Sequence, residues 1–458
     1  MAILIVHPAV RPLAGVLVPP VDKSIAHRAL LFAALGEGTS LIRNLALDED
    51  RLSRDLFATL KALQKMGVTI SRCTGTSDGC MVRGVGLDGL RSPDSPLDCL
   101  NSGTTMRLLA GILSAQSFSS CLVGDRFLSR RPMARIVDPL VQRGAMLRGT
   151  PLDNRSGEVT APLYISPLLS GESLRMIHYC ASIPSAQVKS ALLLSGLYAA
   201  GDTVLQEPMQ SRDHTERMMQ LLGIPLRVSG TLVTLEPTGW DRKIPSFEWC
   251  LPGDLSSIAF LIGAAQLVSG SCVQIHDVGV NPTRTGILDV LKEMEGPIAL
   301  EPREFRSGEP TAHLEVRSAP LRGSSINGEM VLRSLDEIPL VCVLAARAQG
   351  FTSIRNAQEL RVKESDRLAN MAYVLRSFGV VCEEMRDGLE IEGKEGFLRG
   401  GGMIESKGDH RIAMAAAVLA LFGDQPSSIK GAECILTSFP EFVSTFCQVG
   451  ADMRLEEN

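Results

Sequence analysis

Aromatic residues make up only 4% of the 458-residue chain: two tryptophans, four tyrosines and fourteen phenylalanines. The core is therefore expected to be aliphatic, and aromatic platforms for stacking bases or sugars are not expected. There is no surplus of positive charge either. The 46 Lys and Arg are outnumbered by 51 Asp and Glu, a net charge of −5. That excludes a generally basic nucleic-acid-binding surface but leaves room for a local basic pocket. No apolar run reaches bilayer length; the longest, Ile412 to Phe422, is too short to cross. The eleven cysteines include no CxxC pair, so reduced thiols in a cytoplasm are expected rather than a zinc site or a disulfide framework. No GxxxxGK[ST], HxH or HExxH occurs, so neither a P-loop nor a metal site is expected. Gly84, Gly86 and Gly89 have GxGxxG spacing, but Leu-Arg-Ser-Pro follows where a dinucleotide fingerprint needs a helix. The opening Ala2 to Val6 has no basic region before it and reads as a β-strand rather than a signal peptide.

What is present is an ordinary globular composition, 45% hydrophobic and 21% charged, which excludes a disordered chain. At about 150 residues per domain the length allows two to four domains. Internal repetition narrows this. The stretch from Leu31 and the stretch from Val343 share one plan. Each runs apolar helix, glycine, a short strand ending Ile-Arg-Asn, a charged loop, then an amphipathic helix closed by Gly-Val. Weaker copies give six units, opening at Lys23, Asn101, Ser185, Asp254, Asp336 and Asp409. Each second helix ends near a glycine: Gly67, Gly144, Gly223, Gly296, Gly379 or Gly450, 38 to 44 residues after its opening. The first helix of each unit is nearly uncharged after its first turn and should be buried on most sides. The second alternates apolar and charged positions at helical spacing. It should be half exposed, with its glycine as the C′ cap. Segments such as those around Val204 and Val273 read as strands. The predicted fold is α/β, with six repeated units, three in each of two similar domains.

The openings of the buried helices carry the polar chemistry. Ser and Asp there are ordinary N-caps. Lys23, Arg28, Arg107 and Arg411 are not explained that way, because a cation near a helix N-terminus opposes the macrodipole. A bound anion between the charge and the free N–H groups would relieve this. Four loops add charge: Gly124–Arg135, Ser211–Arg217, Asn281–Gly286 and Arg361–Arg367. Arg131 precedes Pro132, the expected first position of a helix. Lys363, Glu364 and Arg367 fall within one turn, which alone would also suit a solvated helix face. Together the openings and loops point to a pocket for a doubly anionic substrate. His27, His214 and His410 sit in charged motifs and read as hydrogen-bonding structural residues rather than general bases.

The motifs DKSIAHRALLFAAL, NSGTTMRLL, RRPMARIVDPL, SAQVKSALLLSGLYA, SRDHTERM, GDLSSIAFL, NPTRTGILDVL, DEIPL, RVKESDRL, DHRIAMA and TSFPEF occur in this order along the whole chain. In this the sequence resembles the 5-enolpyruvylshikimate-3-phosphate synthases, the 3-phosphoshikimate 1-carboxyvinyltransferases of aromatic amino-acid biosynthesis. The resemblance implies a two-domain inside-out α/β barrel, with residues 1–20 and 253–458 as one domain and 21–252 as the other. It implies an active site in the interdomain cleft, which closes on substrate. It also implies transfer of the enolpyruvyl group of phosphoenolpyruvate to shikimate 3-phosphate, with release of phosphate and no cofactor. A cytoplasmic monomer acting on small molecules, without nucleic acid, membrane or metal, is the expectation.

Residue roles follow from the same resemblance. Phosphoenolpyruvate is expected at Lys23, Asn101, Gly103, Arg131, Gln187, Arg367 and Arg411. Shikimate 3-phosphate is expected at Lys23, Ser24, Arg28, Ser185, Gln187, Arg212, Asp336 and Lys363. Glu364 is the candidate for the proton on the methylene carbon and Asp336 for the hydroxyl, with Lys23 assisting. Lys363 and Arg367 should oppose protonation of Glu364. Four positions depart from the family pattern. Val21 and Leu100 stand where glycine is usual, Phe127 replaces a common serine, and Thr437 stands where some members place a lysine. Valine reaches glycine-only backbone angles at a cost, so weaker substrate binding is expected. The alternatives are the sister transferase acting on UDP-N-acetylglucosamine, which carries a reactive loop cysteine, and a catalytically silent paralogue that binds shikimate 3-phosphate.

Overall fold

The computed structural model of the chain describes residues 2–48, 50–73, 79–152, 157–169 and 171–457. The chain divides into two compact units. One comprises Met1–Asp22, Pro252–Phe305 and Pro310–Asn458; the other comprises Lys23–Leu251 and Arg306–Glu309. The described residues form six four-stranded sheets, three in each unit. In the repeat around Lys23, strand Thr39–Arg43 pairs parallel with Glu248–Cys250 and antiparallel with Gly79–Arg83, which pairs antiparallel with Thr69–Arg72. The sheet after Asp336 repeats this, with Phe351–Ile354 parallel to Ser325–Ile326 and antiparallel to Gly388–Glu392. The opening segment is strand Ala2–Val6, antiparallel to both Ser427–Lys430 and Met453–Glu457. The two other predicted strands form at Thr203–Gln206 and Cys272–Gly279.

Helices lie inside each unit and sheets outside, the inside-out arrangement expected. Every residue of helix His410–Ala420 is buried, and all but the last of Leu255–Leu267. Their alanine, leucine and serine content allows close approach. A Cβ on Gly111 would lie 2.3 Å from the Ala191 carbonyl oxygen, so helices Gly103–Leu113 and Ala186–Gly196 touch backbone to backbone. Each fully buried leucine adds roughly 1.5–3 kcal/mol, so these central helices anchor everything their first turns display.

The second helix of each repeat forms as predicted, for example Arg54–Lys65, Gly286–Glu293 and Arg367–Ser377. Five of the closing glycines have positive φ, among them Gly67 at 90° and Gly450 at 106°. The fourth repeat corrects the expectation. There Glu295 takes the left-handed conformation (φ 63°), and Gly296 follows it. A Cβ on Gly296 would lie 2.9 Å from Leu321 Cδ2, so packing rather than backbone angle calls for glycine there. A second correction concerns Pro132. The helix starts at Ala134, because Glu158 Oε1 and the Val159 carbonyl accept the Met133 N–H and Glu158 Oε1 also accepts that of Ala134.

Candidate active site

In the unit beginning at Lys23, three buried helices open on a shared set of polar side chains. The Lys23 ammonium is 2.7 Å from Asp55 Oδ2, and Asp55 itself sits in the first turn of Arg54–Lys65 behind the N-cap Ser53. Arg28 is buried and its guanidinium donates to Thr215 Oγ1 (2.6 Å), Ser190 Oγ (2.8 Å) and the Ser24 carbonyl (2.8 Å). Arg107 donates to Gln187 Oε1 at 2.6 Å, and Gln187 Nε2 donates to Thr104 Oγ1 at 2.9 Å. A Cβ placed on Gly103 would lie 2.6 Å from Arg107 Nη1 and 2.9 Å from Arg131 Nη1. Two guanidiniums therefore press against the bare backbone at a helix N-terminus, a geometry suited to anions. Ser102 and Ser185 cap their helices as expected, accepting from Thr105 and Val188. Asn101 donates to Asp125 Oδ2 at 2.8 Å.

Behind Ser185 lies a buried ion triad. Lys189 Nζ is 2.9 Å from Glu207 Oε2 and 2.6 Å from Glu216 Oε1. Burial alone would lower the lysine pKa, but the two glutamates outweigh it and raise it. One cation cannot neutralise two carboxylates, so burial pushes the Glu216 carboxyl up despite Lys189. Glu207 also accepts from the Ser185 N–H and the Ser211 hydroxyl. It thereby joins Ser185 to the segment that carries Arg212, which lies in a partly buried loop.

In the other unit the cations are held by carboxylates. Arg367, the first residue of its helix, donates to Asp409 Oδ2 (2.8 Å) and Glu364 Oε2 (2.6 Å) and lies 3.5 Å from Asp336 Oδ1. Burial opposes its charge, yet Asp409, Glu364 and Asp336 raise its pKa well above the ordinary value. Lys363 is 3.7 Å from Asp336. RVKESDR is thus no solvated helix face: Lys363 and Glu364 precede the helix, and Arg367 is buried. Arg411 meets the Ser256 carbonyl at 3.3 Å and Glu337 Oε1 at 3.4 Å, while Ser256 donates its hydroxyl to the same Glu337 oxygen. Asp409 caps its helix by accepting the Arg411 N–H. Arg284 is 3.0 Å from Asp254 and 3.7 Å from Asp22; burial works against its charge, and these two carboxylates more than restore it.

Within each unit, then, the predicted residues gather at the helix openings. Protein groups also contribute to holding Arg28, Arg107 and Arg411 at these helix openings. Hydroxyl, carbonyl, amide and carboxylate oxygens of the protein receive several of their N–H groups. Of the histidines, His27 bonds Thr59 and His214 bonds Glu309, each at 2.7 Å, which suits the structural role expected. Sequence reasoning missed Asp55, Asp125, Glu207 and Glu337. Asp125 and Glu337 lay within the charged loop Gly124–Arg135 and the motif DEIPL, but nothing in the sequence paired them with a particular partner. The departures resolve unequally. Leu100 does take a left-handed backbone (φ 50°), whereas Val21 is absent from the positive-φ residues and forms a regular antiparallel bridge to Gly253. The expected strain lies at Leu100 alone.

None of the eleven cysteines forms a disulfide, and burial raises the Cys80 and Cys434 thiols to about 12. No helix among the described residues is long and apolar enough to cross a membrane. Among the described residues, no group of three or more His, Cys, Asp or Glu is placed to hold a metal ion.

Residues 8–446 match the family model for EPSP synthase (3-phosphoshikimate 1-carboxyvinyltransferase). A 3-phosphoshikimate 1-carboxyvinyltransferase of Pelobacter propionicus is 45% identical over 434 residues, covering 94% of this chain and 95% of that one. The solved EPSP synthase of Acinetobacter baumannii is 37% identical with a TM-score of 0.84, and each chain is covered completely. The enolpyruvyl transferase NikO of Streptomyces tendae is 17% identical with a TM-score of 0.75 over 99% of both chains, a likeness of fold. With polar helix openings repeated in both units, and a family match that runs nearly end to end, the chain belongs to the EPSP synthase (3-phosphoshikimate 1-carboxyvinyltransferase) family.

Proposed function

We propose that this chain transfers the enolpyruvyl group of phosphoenolpyruvate to the 5-hydroxyl of shikimate 3-phosphate, releasing inorganic phosphate, in the shikimate pathway. The observation that carries the reading is the pair of guanidiniums, Arg107 and Arg131, seated against the Gly103 backbone, in a chain of this family. Lys23, Asn101, Gly103, Arg131, Gln187, Arg367 and Arg411 would receive phosphoenolpyruvate. Lys23, Ser24, Arg28, Ser185, Gln187, Arg212, Asp336 and Lys363 would receive shikimate 3-phosphate. In this reading both sets face one substrate pair.

The chemistry then divides between two carboxylates. Asp336 takes the proton of the 5-hydroxyl as its oxygen bonds to C2 of phosphoenolpyruvate. Glu364 delivers a proton to the C3 methylene, giving a tetrahedral adduct. Glu364 then takes a proton back from the new methyl group, restoring the double bond as the C2–O bond to phosphate breaks and inorganic phosphate leaves. Lys23, held by Asp55, stands beside the developing charges and assists. The reading carries with it a cytoplasmic monomer that acts on two small anions, not on nucleic acid or membranes.

A phosphate-release assay tests it. Phosphate should appear from phosphoenolpyruvate only when shikimate 3-phosphate is present. Release with UDP-N-acetylglucosamine instead would indicate the sister activity. Tight binding of shikimate 3-phosphate with no release would indicate a silent paralogue.

A further inference from the structure

The carboxylate of Asp125 stands outside every role assigned above, yet it joins two of the residues proposed for phosphoenolpyruvate. Its Oδ2 accepts from the Asn101 amide at 2.8 Å. Its Oδ1 accepts from the backbone N–H groups of Phe127 (2.9 Å) and Leu128 (2.8 Å). Those bonds shape the 3-10 turn Leu128–Arg130, whose end is closed by the Arg131 N–H donating to the Leu128 carbonyl. The Arg131 side chain then returns to Gly103, two residues from Asn101. The loop is pinned from below as well. The Asp125 N–H donates to the Leu100 carbonyl at 2.7 Å, and Cys99 N–H to the Val123 carbonyl at 2.8 Å. A Cβ on Gly124 would lie 2.7 Å from Leu128 Cδ2, so the turn has little room to settle elsewhere. The left-handed Leu100 (φ 50°), whose N–H is bonded to Asp98 Oδ1, sits between these two attachments.

We infer that Asp125 is a positioning residue for phosphoenolpyruvate: one carboxylate sets both the orientation of the Asn101 amide and the turn that delivers Arg131. A carboxylate only accepts hydrogen bonds, so the Asn101 nitrogen must face it, and this fixes which way the amide points. The same group, by holding two turn N–H bonds, fixes where Arg131 starts. The two ligand-side groups are thereby set relative to each other before substrate arrives, which lowers the ordering cost of binding. The inference rests on the functional reading above.

Asp125→Asn separates the two bonds. An asparagine oxygen can still accept from the Phe127 and Leu128 amides as an Asx turn does, but its NH₂ then confronts the Asn101 nitrogen. The expected result is a phosphoenolpyruvate KM raised about tenfold, with the shikimate 3-phosphate KM within about twofold and kcat within about threefold of wild type. In an Asn101→Ala background the same substitution should change the phosphoenolpyruvate KM little, because the bond is already gone. Asp125→Ser, which keeps a small acceptor for the turn but not the reach to Asn101, should show the same split and serves if the asparagine variant does not fold. A phosphoenolpyruvate KM within twofold of wild type, equal rises in both KM values, or additive effects with Asn101→Ala would overturn the inference while leaving the functional reading intact. A wild-type protein that releases no phosphate would overturn the functional reading, and this inference with it.

Discussion

The same repeat bonds its arginines in two ways. In the unit beginning at Lys23, Arg28 and Arg107 donate to Ser190, Thr215, Gln187 and main-chain carbonyls. These bonds run to neutral oxygens, while the lysines of the same unit, Lys23 and Lys189, are paired with carboxylates. In the other unit Arg367 meets Asp409, Glu364 and Asp336, Arg411 meets Glu337, and Arg284 meets Asp22 and Asp254. There the charges are matched, and the cations in turn fix carboxylates in place. Neutral acceptors suit a surface that must keep attracting anions. Matched pairs suit a surface that must present carboxylates at fixed positions for proton transfer. Arg28 and Arg107 belong to the first kind and Asp336 and Glu364 to the second.

If the second unit's cations depend on their carboxylates, removing one should be costly. Asp409→Ala leaves Arg367 buried with two fewer bonds and removes a helix cap. A loss of about 3–5 kcal/mol is expected, read from the urea midpoint. A loss under about 1 kcal/mol would mean that Arg367 does not rely on its pairing. The first unit should respond through binding instead. In Gly103→Ala the methyl group must displace the Arg107 and Arg131 guanidiniums. The phosphoenolpyruvate KM should rise about tenfold with little change in melting temperature. An unchanged KM would remove Gly103 and Arg131 from the phosphoenolpyruvate site.

Two smaller effects sharpen the comparison. Leu100→Gly relieves a left-handed backbone that costs roughly 1 kcal/mol or more for a side chain with a Cβ. Stability should rise by up to about 1 kcal/mol, whereas Val21→Gly, at a residue with ordinary backbone angles, should lower it slightly. Thermal melts of the two variants side by side decide this, and a gain from Val21→Gly alone would reverse the assignment. Glu216 gives a pH effect. Its folded pKa is raised by burial. Its stabilising contribution is therefore complete below the unfolded pKa of about 4.3 and is lost as pH rises through the folded value. Glu216→Gln should gain on wild type as pH rises above the ordinary carboxyl range. A parallel pair of stability curves would contradict that sign.

Most of the architecture was legible because it rests on local rules. Apolar helices without charge must be buried, and Ser102, Ser185 and Asp409 announce helix starts by capping them. The cations of the site were legible for a similar reason, since they stand where helix electrostatics disfavours them. Their partners were not. Asp55 reads as an unremarkable first-turn acid 32 positions from Lys23, and Asp409 as a cap 42 positions from Arg367. Which acid meets which base is decided by how repeats stack, and no periodicity records that. The starts of elements failed where a distant group intervenes, as Glu158 does at Met133 and Ala134. Val21 shows the opposite error. The usual glycine suggested a strained backbone, but the chain passes that point in an ordinary bridge.

The division of labour between the two kinds of opening stands or falls on Glu364. Glu364→Gln keeps a hydrogen-bonding group beside Arg367 but cannot exchange a proton. Turnover should fall on the order of 10²-fold or more, while the KM for phosphoenolpyruvate and the binding of shikimate 3-phosphate stay within about threefold of wild type. Turnover near wild type, or a loss confined to the KM values, would contradict it and return Glu364 to the binding surface.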